Sequence, residues 1–470
     1  MPKAIFNGQG GLSKINRNQD SKYSVGDSID PFRDLGYIKP SFTKTSVGTP
    51  NAIIKDIARR TDTTALAINA GIIYYIKDKV FDDYDGATFP YSPSALGDGL
   101  DLVFYPNTNK LIYIGKAKAG QAVFTDPTVT LDDDHLSTIP NGADDFSASQ
   151  DNRPYVIWNN YLLIGDGRYV VKFDGQTSEV YTAQYFDVGE GFVINSLFVY
   201  SGYLGIVCKP TVGDYQSQIL LIDGSSATAA VRRFTVNEKI TVAKNEGTNL
   251  FFFTEDLTGK GWIKQMGQDG LDNDSAVELR FENASTGELE SFAAPTRHSE
   301  VDIYDNKLAF ASSGYVFVLG NGIISKPFKP TGTTITAIKL ADSGNLYVAS
   351  YTTTTYYFEV FSTGNSTATL KFPYKDSGQK IMINYVKYYF KPLVSGDSAT
   401  VGLEIDYGTS VTLKDSLDAS TIAYATDGAI TSKKFKIAKE CFSFRPTLTW
   451  TAGGNSLSYV VVDYSYINDI

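Results

Sequence analysis

The sequence predicts an all-β protein: a β-propeller of about seven blades, with an extended N-terminal arm and a C-terminal antiparallel β-sandwich that is jelly-roll-like. Three observations support this prediction. The chain has 470 residues, too many for one ordinary core. Its large side chains include 31 Tyr and 28 Phe against 3 Met, and aromatic residues suit a pleated, half-buried surface. A short apolar strand recurs along the chain at long intervals.

Residues 1–64 have neither a strand period nor a helix period, and they contain turn signals such as Asp30-Pro31 and Thr49-Pro50. We interpret them as an extended arm that ends in a short helical turn near residues 52–60. The arm carries 10 Lys/Arg and 6 Asp/Glu, a net of +4, on a chain of net charge −10, so the remainder is −14. Such an arm is able to dock on its own body or on an acidic neighbouring copy. A solvated polar tail is the alternative.

Residues 65–370 contain the repeat that predicts the propeller. In each repeat a leucine or isoleucine in a short apolar strand follows a polar turn. These anchor residues, 38 to 58 positions apart, are Ile72, Leu111, Leu162, Leu204, Leu250, Leu308 and Leu346. A second β run follows each anchor and usually ends on glycine. Spacings of roughly 40 to 50 residues are typical of propeller blades, which bury both faces by packing around an axis. Unrelated hairpins in sandwiches are the alternative.

Residues 371–470 change character and predict the sandwich. Val401, Leu403 and Ile405 alternate with polar or small residues, as expected for a strand with one buried face. Loops at 395–398 and 451–456 separate short strands of this kind. We place the boundary with the propeller near residues 363–373.

The sequence offers no recognisable catalytic motif. It has only two histidines, His135 and His298, both in polar segments, and we expect both at the surface. There is no HExxH, GxSxG or P-loop pattern. We therefore assign no catalytic, cofactor-binding or metal-binding residue and no cofactor, and we expect no enzymatic activity. A glycosidase pair stays open, because facing carboxyl groups cannot be recognised from sequence alone.

Other candidate sites have ordinary structural interpretations. The acidic runs at 269–274, 82–85 and 132–134 suit solvated turns, with calcium binding as the alternative. The three tryptophans, Trp158, Trp262 and Trp450, suit core positions beside strands. Trp262, next to a glycine-rich turn, is the best candidate for exposure. Cys208 and Cys441 are far apart and in no CxxC motif, which indicates two buried free thiols.

Charge and hydropathy exclude some partners. A net charge of −10 argues against a general nucleic-acid binder, because such proteins neutralise phosphates with a basic surface. The N-terminus has no apolar run that would suggest a secretory signal. No stretch approaches the roughly 18 consecutive apolar residues of a membrane span. We therefore expect synthesis in a cytoplasm and no membrane span.

The extended Gly/Pro-containing start, the blade hairpins of the type TNKLIYIG and DNKLAFA, and the terminal segment SYVVVDYSYI (458–467) resemble virion proteins of tailed bacteriophages. In particular, the chain resembles the propeller-bearing tail nozzle or hub proteins of short-tailed phages, and related tail-tip components. The resemblance covers the whole chain but concerns domain order, and no short motif is diagnostic.

The resemblance implies a structural role in the virion. Copies would form a ring that extends or closes the DNA channel, and the arm would bind a neighbouring copy or an adaptor protein. A second hypothesis is a receptor-binding tail protein that recognises a host-surface glycan. A polysaccharide-degrading propeller enzyme ranks third. Exposed aromatic residues and acidic loops clustered at one end of the sandwich would favour the second hypothesis, and a deep propeller pocket with facing carboxylates would favour the third.

Overall fold

The computed structural model of the protein describes residues 3–6, 25–27, 29–30, 38–40, 42–61, 64–69, 71–83, 89–93, 98–105, 109–125, 128–138, 146, 150, 152–173, 181–213, 216–246, 249–267, 270–278, 280–282, 289–291, 293–304, 307–320, 323–340, 345–362, 367–415 and 418–467. These residues confirm the all-β prediction, because strands dominate and the only helices among them are single turns. The two α-turns are α1 (His135–Thr138) and α2 (Tyr424–Asp427). None of these described helices is long and apolar enough to cross a membrane.

Seven four-stranded antiparallel sheets form the propeller, as predicted. Blade 1 contains β6 (Ile54–Arg59), β7 (Thr64–Asn69), β8 (Ile73–Lys77) and β9 (Val80–Asp82). Blade 2 contains β10 (Gly99–Tyr105), β11 (Lys110–Gly115), β12 (Ala119–Thr125) and β13 (Thr128–Asp132). Blade 3 contains β14 (Tyr155–Trp158), β15 (Tyr161–Asp166), β16 (Tyr169–Phe173) and β17 (Tyr181–Asp187). Blade 4 contains β18 (Phe192–Tyr200), β19 (Tyr203–Pro210), β20 (Ser217–Ile222) and β21 (Arg232–Val236).

The remaining three blades follow in chain order. Blade 5 contains β22 (Lys239–Glu246), β23 (Asn249–Glu255), β24 (Gly261–Gly267) and β25 (Gly270–Glu278). A separate hairpin, β26 (Arg280–Glu282) and β27 (Leu289–Ser291), precedes blade 6. Blade 6 contains β28 (Val301–Tyr304), β29 (Lys307–Ser312), β30 (Tyr315–Gly320) and β31 (Ile323–Phe328). Blade 7 contains β32 (Thr334–Leu340), β33 (Leu346–Tyr351), β34 (Tyr356–Ser362) and, from the N-terminal region, β5 (Thr43–Gly48).

The predicted anchors mark the second strand in six of the seven blades. Leu111 lies in β11 and Leu346 in β33, and the four anchors between them occupy the same strand of their blades. Ile72 was the wrong anchor for blade 1, because it precedes the third strand, β8. Leu66, in β7, is the residue that matches the others. Both are apolar residues in short β runs, so the sequence pattern did not distinguish them.

The C-terminal region forms one branched sheet with long strands. Its strands are β35 (Ala368–Lys371), β36 (Lys375–Phe390), β37 (Ser398–Ile405), β38 (Thr409–Thr412), β39 (Thr421–Ala423), β40 (Ser432–Ala452) and β41 (Leu457–Tyr466). The first half of β40 pairs with β36 and its second half with β35 and β37, so the strand belongs to both parts of the sheet. Trp450 and Phe444 are fully buried in the core between these parts. The predicted jelly-roll order stays a prediction.

Two strands from the predicted arm belong to the C-terminal sheet. β1 (Lys3–Phe6) pairs with β41, and β2 (Val25–Asp27) pairs with β35. A small hairpin of β3 (Ile29–Asp30) and β4 (Lys39–Pro40) lies beside β2, and both β2 and β3 contact blade 6 through β31. The N-terminal region therefore joins the propeller to the C-terminal sheet.

Two details of the predicted arm are wrong. The expected helical turn at 52–60 is a strand, because β6 pairs with β7 in blade 1. The arm also does not extend to residue 64, since β5 completes blade 7 and β6 opens blade 1. The burial of β6 is nearly continuous, as expected for a strand between two packed sheets, and Asp56 is its one acidic residue.

Candidate functional site

The first strand of each blade faces the propeller axis, since the first strands of neighbouring blades contact one another. A single 3-10 turn, His298–Glu300, precedes blade 6 and lies against the first strands of blades 1, 5, 6 and 7. We call it the axial turn. Ser299 fixes it in place, because its hydroxyl donates to the carbonyl of Thr336 in blade 7 at 3.1 Å. The axial turn therefore brings its side chains to the centre of the ring.

Polar side chains on the first strands bind the blades to one another near this centre. Asp56 Oδ2 in blade 1 accepts from the backbone N–H of Leu102 in blade 2 at 2.9 Å. Asp302 Oδ2 in blade 6 accepts in the same way from Leu340 N–H in blade 7 at 2.9 Å. Thr336 Oγ1 in blade 7 donates to the carbonyl of Ile54 in blade 1 at 2.6 Å. Such bonds use backbone groups that would otherwise be buried without partners.

β-Bulges position some of the polar side chains that bond one blade to the next, including that of Thr336. The pairing of first and second strands skips one residue in blades 1, 2, 4, 5 and 7. In blade 4 the skipped residue is Asn195, whose amide donates to the carbonyls of Ile240 and Thr241 in blade 5 at 2.9 and 2.8 Å. A β-bulge turns a side chain away from its ladder position, and here it turns a polar side chain toward the next blade.

Three ionisable groups meet at the axis in a buried cluster of Asp56, Asp101 and His298. One possible ligand atom from each lies within 4.8 Å of the other two. Asp101 is completely buried, and Asp56 and His298 are 4% and 9% exposed. His298 Nε2 lies 3.1 Å from Asp101 Oδ1, but neither atom has a partner in hydrogen-bond alignment. The ring of Tyr155, in blade 3, meets the imidazole edge to face at 4.8 Å.

Burial governs the electrostatics of this region. It raises the pKa of Asp56, and the nearby Asp101 carboxylate raises it further, while His298 opposes the shift. Burial also raises the pKa of Tyr155 well above its usual range. Burial lowers the pKa of Lys244, and the charge of Lys339 adds to the effect.

Lys339 behaves differently because it has a partner. Burial alone would lower its pKa, but the carboxylate of Asp302, 3.0 Å away, outweighs burial and the pKa is raised. Asp302 is therefore compensated by a lysine. Among the described residues, the cationic side chains within 4 Å of the Asp101 carboxylate are the poorly aligned His298 and Arg297, whose Nη2 lies 3.7 Å away and donates to the carbonyl of Leu100.

The axial cluster is suited to holding an ion or a proton, not to turning over a substrate. Asp56 and Asp101 face each other, which is the arrangement that a glycosidase would need, but both are enclosed by the first strands of blades 1 and 2. A glycosidase pair must flank a cleft wide enough for a sugar ring. The cluster thus gives no support to the enzyme hypothesis.

A second candidate site is an open face of the C-terminal sheet. Strand register places its side chains in rows across β36, β40, β41 and β1. We call it the lysine–tyrosine face, and its members are Lys3, Tyr385, Lys387, Tyr389, Lys434, Lys436 and Tyr459. Lys3, Lys434 and Lys436 are exposed, and the others are half-buried. On a chain of net charge −10, four lysines on one face form a distinctly basic surface.

Contacts within this face order its aromatic rings. Tyr389 and Tyr459 stack with ring centroids 4.3 Å apart. The ammonium of Lys434 lies 3.7 Å from the ring centre of Tyr385, and that of Lys387 lies 4.5 Å from Tyr389. Such cation–π contacts keep lysines in place without cancelling their charge. The acid among these rows, Asp463, is 4% exposed and accepts from the amide of Asn384 at 2.9 Å.

Both histidines lie elsewhere than the sequence predicted. His298 is in the axial cluster, and His135 is 6% exposed. His135 Nδ1 lies 2.8 Å from Asp132 Oδ2, and its ring packs edge to face on Phe173 of blade 3. The expectation of two surface histidines was wrong because polar neighbours in sequence do not report on packing between blades.

Several carboxylates of the acidic runs accept hydrogen bonds from, or pair with, other protein groups. In 132–134, Asp133 Oδ1 accepts from the hydroxyls of Tyr91 and Tyr113, and Asp134 pairs with Lys118. In 270–274, Asp272 Oδ1 accepts from the N–H of Asp274. Residues 84, 85 and 269 lie outside the described part of the chain.

The tryptophans and cysteines match their expected environments. Trp158 and Trp450 are buried, at 6% and 0% exposure, and each indole N–H donates to a backbone carbonyl. Trp262 is half-buried, and its indole N–H points at Asp256 at 3.4 Å. Cys208 and Cys441 are buried free thiols, as predicted, and burial raises the pKa of each to about 12.

Sequence reasoning missed the axial cluster, although a signal was present. An aspartate followed by isoleucine or leucine occurs inside an apolar run at Asp56, Asp101 and Asp302, always in the first strand of a blade. A charged residue in a strand with both faces buried indicates a specific partner. The signal was overlooked because the repeat was anchored on second strands.

Comparison with known proteins assigns no family to this chain. No family model and no curated protein matches the chain. Among solved structures, the WD40 β-propeller domain of Doa1 is similar at 10% identity and a TM-score of 0.45, over 68% of this chain and 97% of that one. The β-propeller domain of Myceliophteria thermophila Cps50 (Swd1) is similar at 9% identity and a TM-score of 0.46, over 68% and 99%. The extracellular domain of the two-component system BT3049 from B. thetaiotaomicron is similar at 11% identity and a TM-score of 0.43, over 69% and 42%.

Proposed function

We propose that this chain is a structural subunit of a tailed-phage virion, of the tail nozzle or hub type, and that it assembles with copies of itself. The domain order described above supports the role, and the lysine–tyrosine face is the observation on which the assembly proposal rests. In this proposal the basic face of one copy docks on an acidic surface of the next. Repetition of such a contact by rotation closes a ring, and opposite charges favour the correct register.

The N-terminal region has a different role in this proposal from the one first expected. Its described strands pair with β41, β35 and β34 of the same chain, so they brace the subunit. Removal of residues 1–64 would delete one strand of blade 7 and one of blade 1, and a loss of assembly would then have two explanations. Charge reversal on the lysine–tyrosine face is the cleaner perturbation, because these side chains point away from the core.

The test compares the mass in solution of the wild-type chain with that of the variant Lys387→Glu/Lys434→Glu. The wild type is expected to form one defined oligomer at micromolar concentration, and the variant is expected to be monomeric. The matched control is Lys77→Glu/Lys260→Glu, which changes the same charge on the propeller and is expected to leave the oligomer intact. Added salt of about 0.5 M should weaken the wild-type assembly, because it shortens the screening length to a few ångströms.

A wild-type chain that stays monomeric at every concentration argues against self-assembly, as does an oligomer that both double variants retain. The second candidate function is glycan binding, favoured by the stacked pair Tyr389 and Tyr459 on the open face. Its test is a glycan array with the wild type and with Tyr389→Ala/Tyr459→Ala. Saturable binding that only the tyrosine variant loses would favour a receptor-binding role.

A further inference from the structure

We propose that Asp56, Asp101 and His298 bind a divalent cation of the zinc and manganese class on the propeller axis. The three side chains come from blade 1, blade 2 and the axial turn. One donor atom of each lies within 4.8 Å of the others, so small rotations would bring all three to a common ion. The inference does not depend on the role in the virion.

The first argument is the state of Asp101. It is completely buried, and neither carboxylate oxygen has a hydrogen-bond partner in the described structure. The aspartates of the other two Asp-Ile/Leu pairs each accept a backbone N–H from the next blade, whereas Asp101 does not. A buried carboxylate without such bonds is strongly unfavourable unless a cation lies close to it.

The protein's own cations compensate Asp101 poorly. Arg297 Nη2 is 3.7 Å away and is already bonded to Leu100 O, and Lys339 is paired with Asp302. His298 lies closest, at 3.1 Å, but neither of its ring nitrogens makes a hydrogen bond in the described structure. A neutral imidazole has a lone pair for a metal ion, and it then needs no proton at Nε2.

The donor set selects the class of ion. Two carboxylates and one imidazole suit zinc, manganese and similar first-row ions, whereas calcium and magnesium prefer all-oxygen sites. Three protein donors leave a further position for water. A bound ion would link blades 1 and 2 to the axial turn and would stabilise the centre of the ring.

The test uses the full-length chain, stripped with chelator and titrated calorimetrically with zinc chloride and, separately, with manganese chloride. The expected result is one equivalent bound with a Kd in the micromolar range or below, together with a higher melting temperature. Asp101→Asn and His298→Gln should each weaken binding by about 100-fold or more, because each removes a direct ligand. The matched control is Asp302→Asn, which removes another buried carboxylate of the axis and should leave the affinity unchanged.

Circular dichroism and gel filtration establish that each variant is folded before it is titrated. If Asp101→Asn does not fold, His298→Gln alone tests whether the cluster binds the ion. Absence of saturable uptake by the folded wild type would overturn the proposal and leave His298 as the counter-charge of Asp101. Uptake of equal affinity in wild type and His298→Gln would also overturn it, since the ion would then be bound elsewhere.

Discussion

Arg153 offers the sharpest test of how the blades are held together. Its guanidinium is completely buried between blades 2 and 3, where Nη1 lies 2.9 Å from Asp166 Oδ1. Nε donates to the carbonyls of Gly115 and Lys116 at 3.1 Å each, and the group lies 4.0 Å above the ring of Phe146. The side chain of Asp166 is 2% exposed. One guanidinium thus bonds the end of a strand in blade 2 to a strand in blade 3.

Substitution Arg153→Met keeps much of the volume and removes the charge. It leaves the Asp166 carboxylate buried without its partner, which costs about 3–5 kcal/mol. The two carbonyls that lose their donor add roughly 1 kcal/mol each. We therefore expect a loss of at least about 4 kcal/mol in the free energy of unfolding. The double variant Arg153→Met/Asp166→Leu should recover most of this loss, because an apolar pair leaves no buried charge.

Urea unfolding followed by tryptophan fluorescence measures these differences, and the buried Trp158 in β14 is a probe beside the substitution. The control is Arg168→Met in the same blade, where the arginine is 34% exposed and pairs with Asp187 and Glu190. It should shift the unfolding midpoint far less, since exposed pairs contribute little. The reasoning is refuted if Arg153→Met is within about 1 kcal/mol of the wild type, or if the double variant is no more stable than the single one.

Three further predictions concern other parts of the fold. Gly205→Ala should destabilise blade 4 by roughly 1–3 kcal/mol, because the added Cβ would lie 2.1 Å from the ring of Phe198; thermal melts beside Gly71→Ala, where no atom lies within 4 Å of the added Cβ, check it. Glu404 is buried, and bonds from Lys371 and Arg445 lower its pKa despite burial. The contribution of Glu404 to the free energy of unfolding is therefore present above about pH 4.5 and is lost as the pH falls through the lowered pKa of the folded state. Glu404→Gln should make the free energy of unfolding depend less on pH in the acid range. Cys208 and Cys441, with pKa values raised to about 12, should resist maleimide at pH 7.5 in the native protein and react after unfolding; labelling of the native chain would contradict their burial.

The propeller was predictable because its signal is repeated and local. Leu111, Leu162 and the later anchors each begin a strand whose neighbours follow directly in sequence, so hairpin pairing is visible in a short window. Closure of the ring is not local. β5 pairs with β34, more than 300 residues further along the chain, and the sequence of neither strand identifies its pairing partner. The same limit concealed β1 and β2, which therefore looked like parts of an arm.

The axial cluster was concealed for a related reason. Asp56, Asp101 and His298 lie in three separate parts of the chain, and only the closure of the ring brings them together. Sequence motifs for metal sites are recognised when the ligands lie close together on one strand or helix, and the sequence contains no such histidine motif. The lysine–tyrosine face was equally invisible, because its rows run across four strands and depend on a register that bulges at 383–385 alter.

The pairing of β1 with β41 fixes the order of events during synthesis. β1 leaves the ribosome before every other described strand, and its partner is the last of these strands to be made. β5 likewise waits for β34 before blade 7 has its fourth strand. The nascent chain must therefore carry β5 unpaired until β34 has been made, and β1 unpaired until β41 has been made. Blades 1 to 6 are each continuous in sequence and are free to fold as they emerge, whereas the closed ring waits for β34 and the C-terminal sheet for β41.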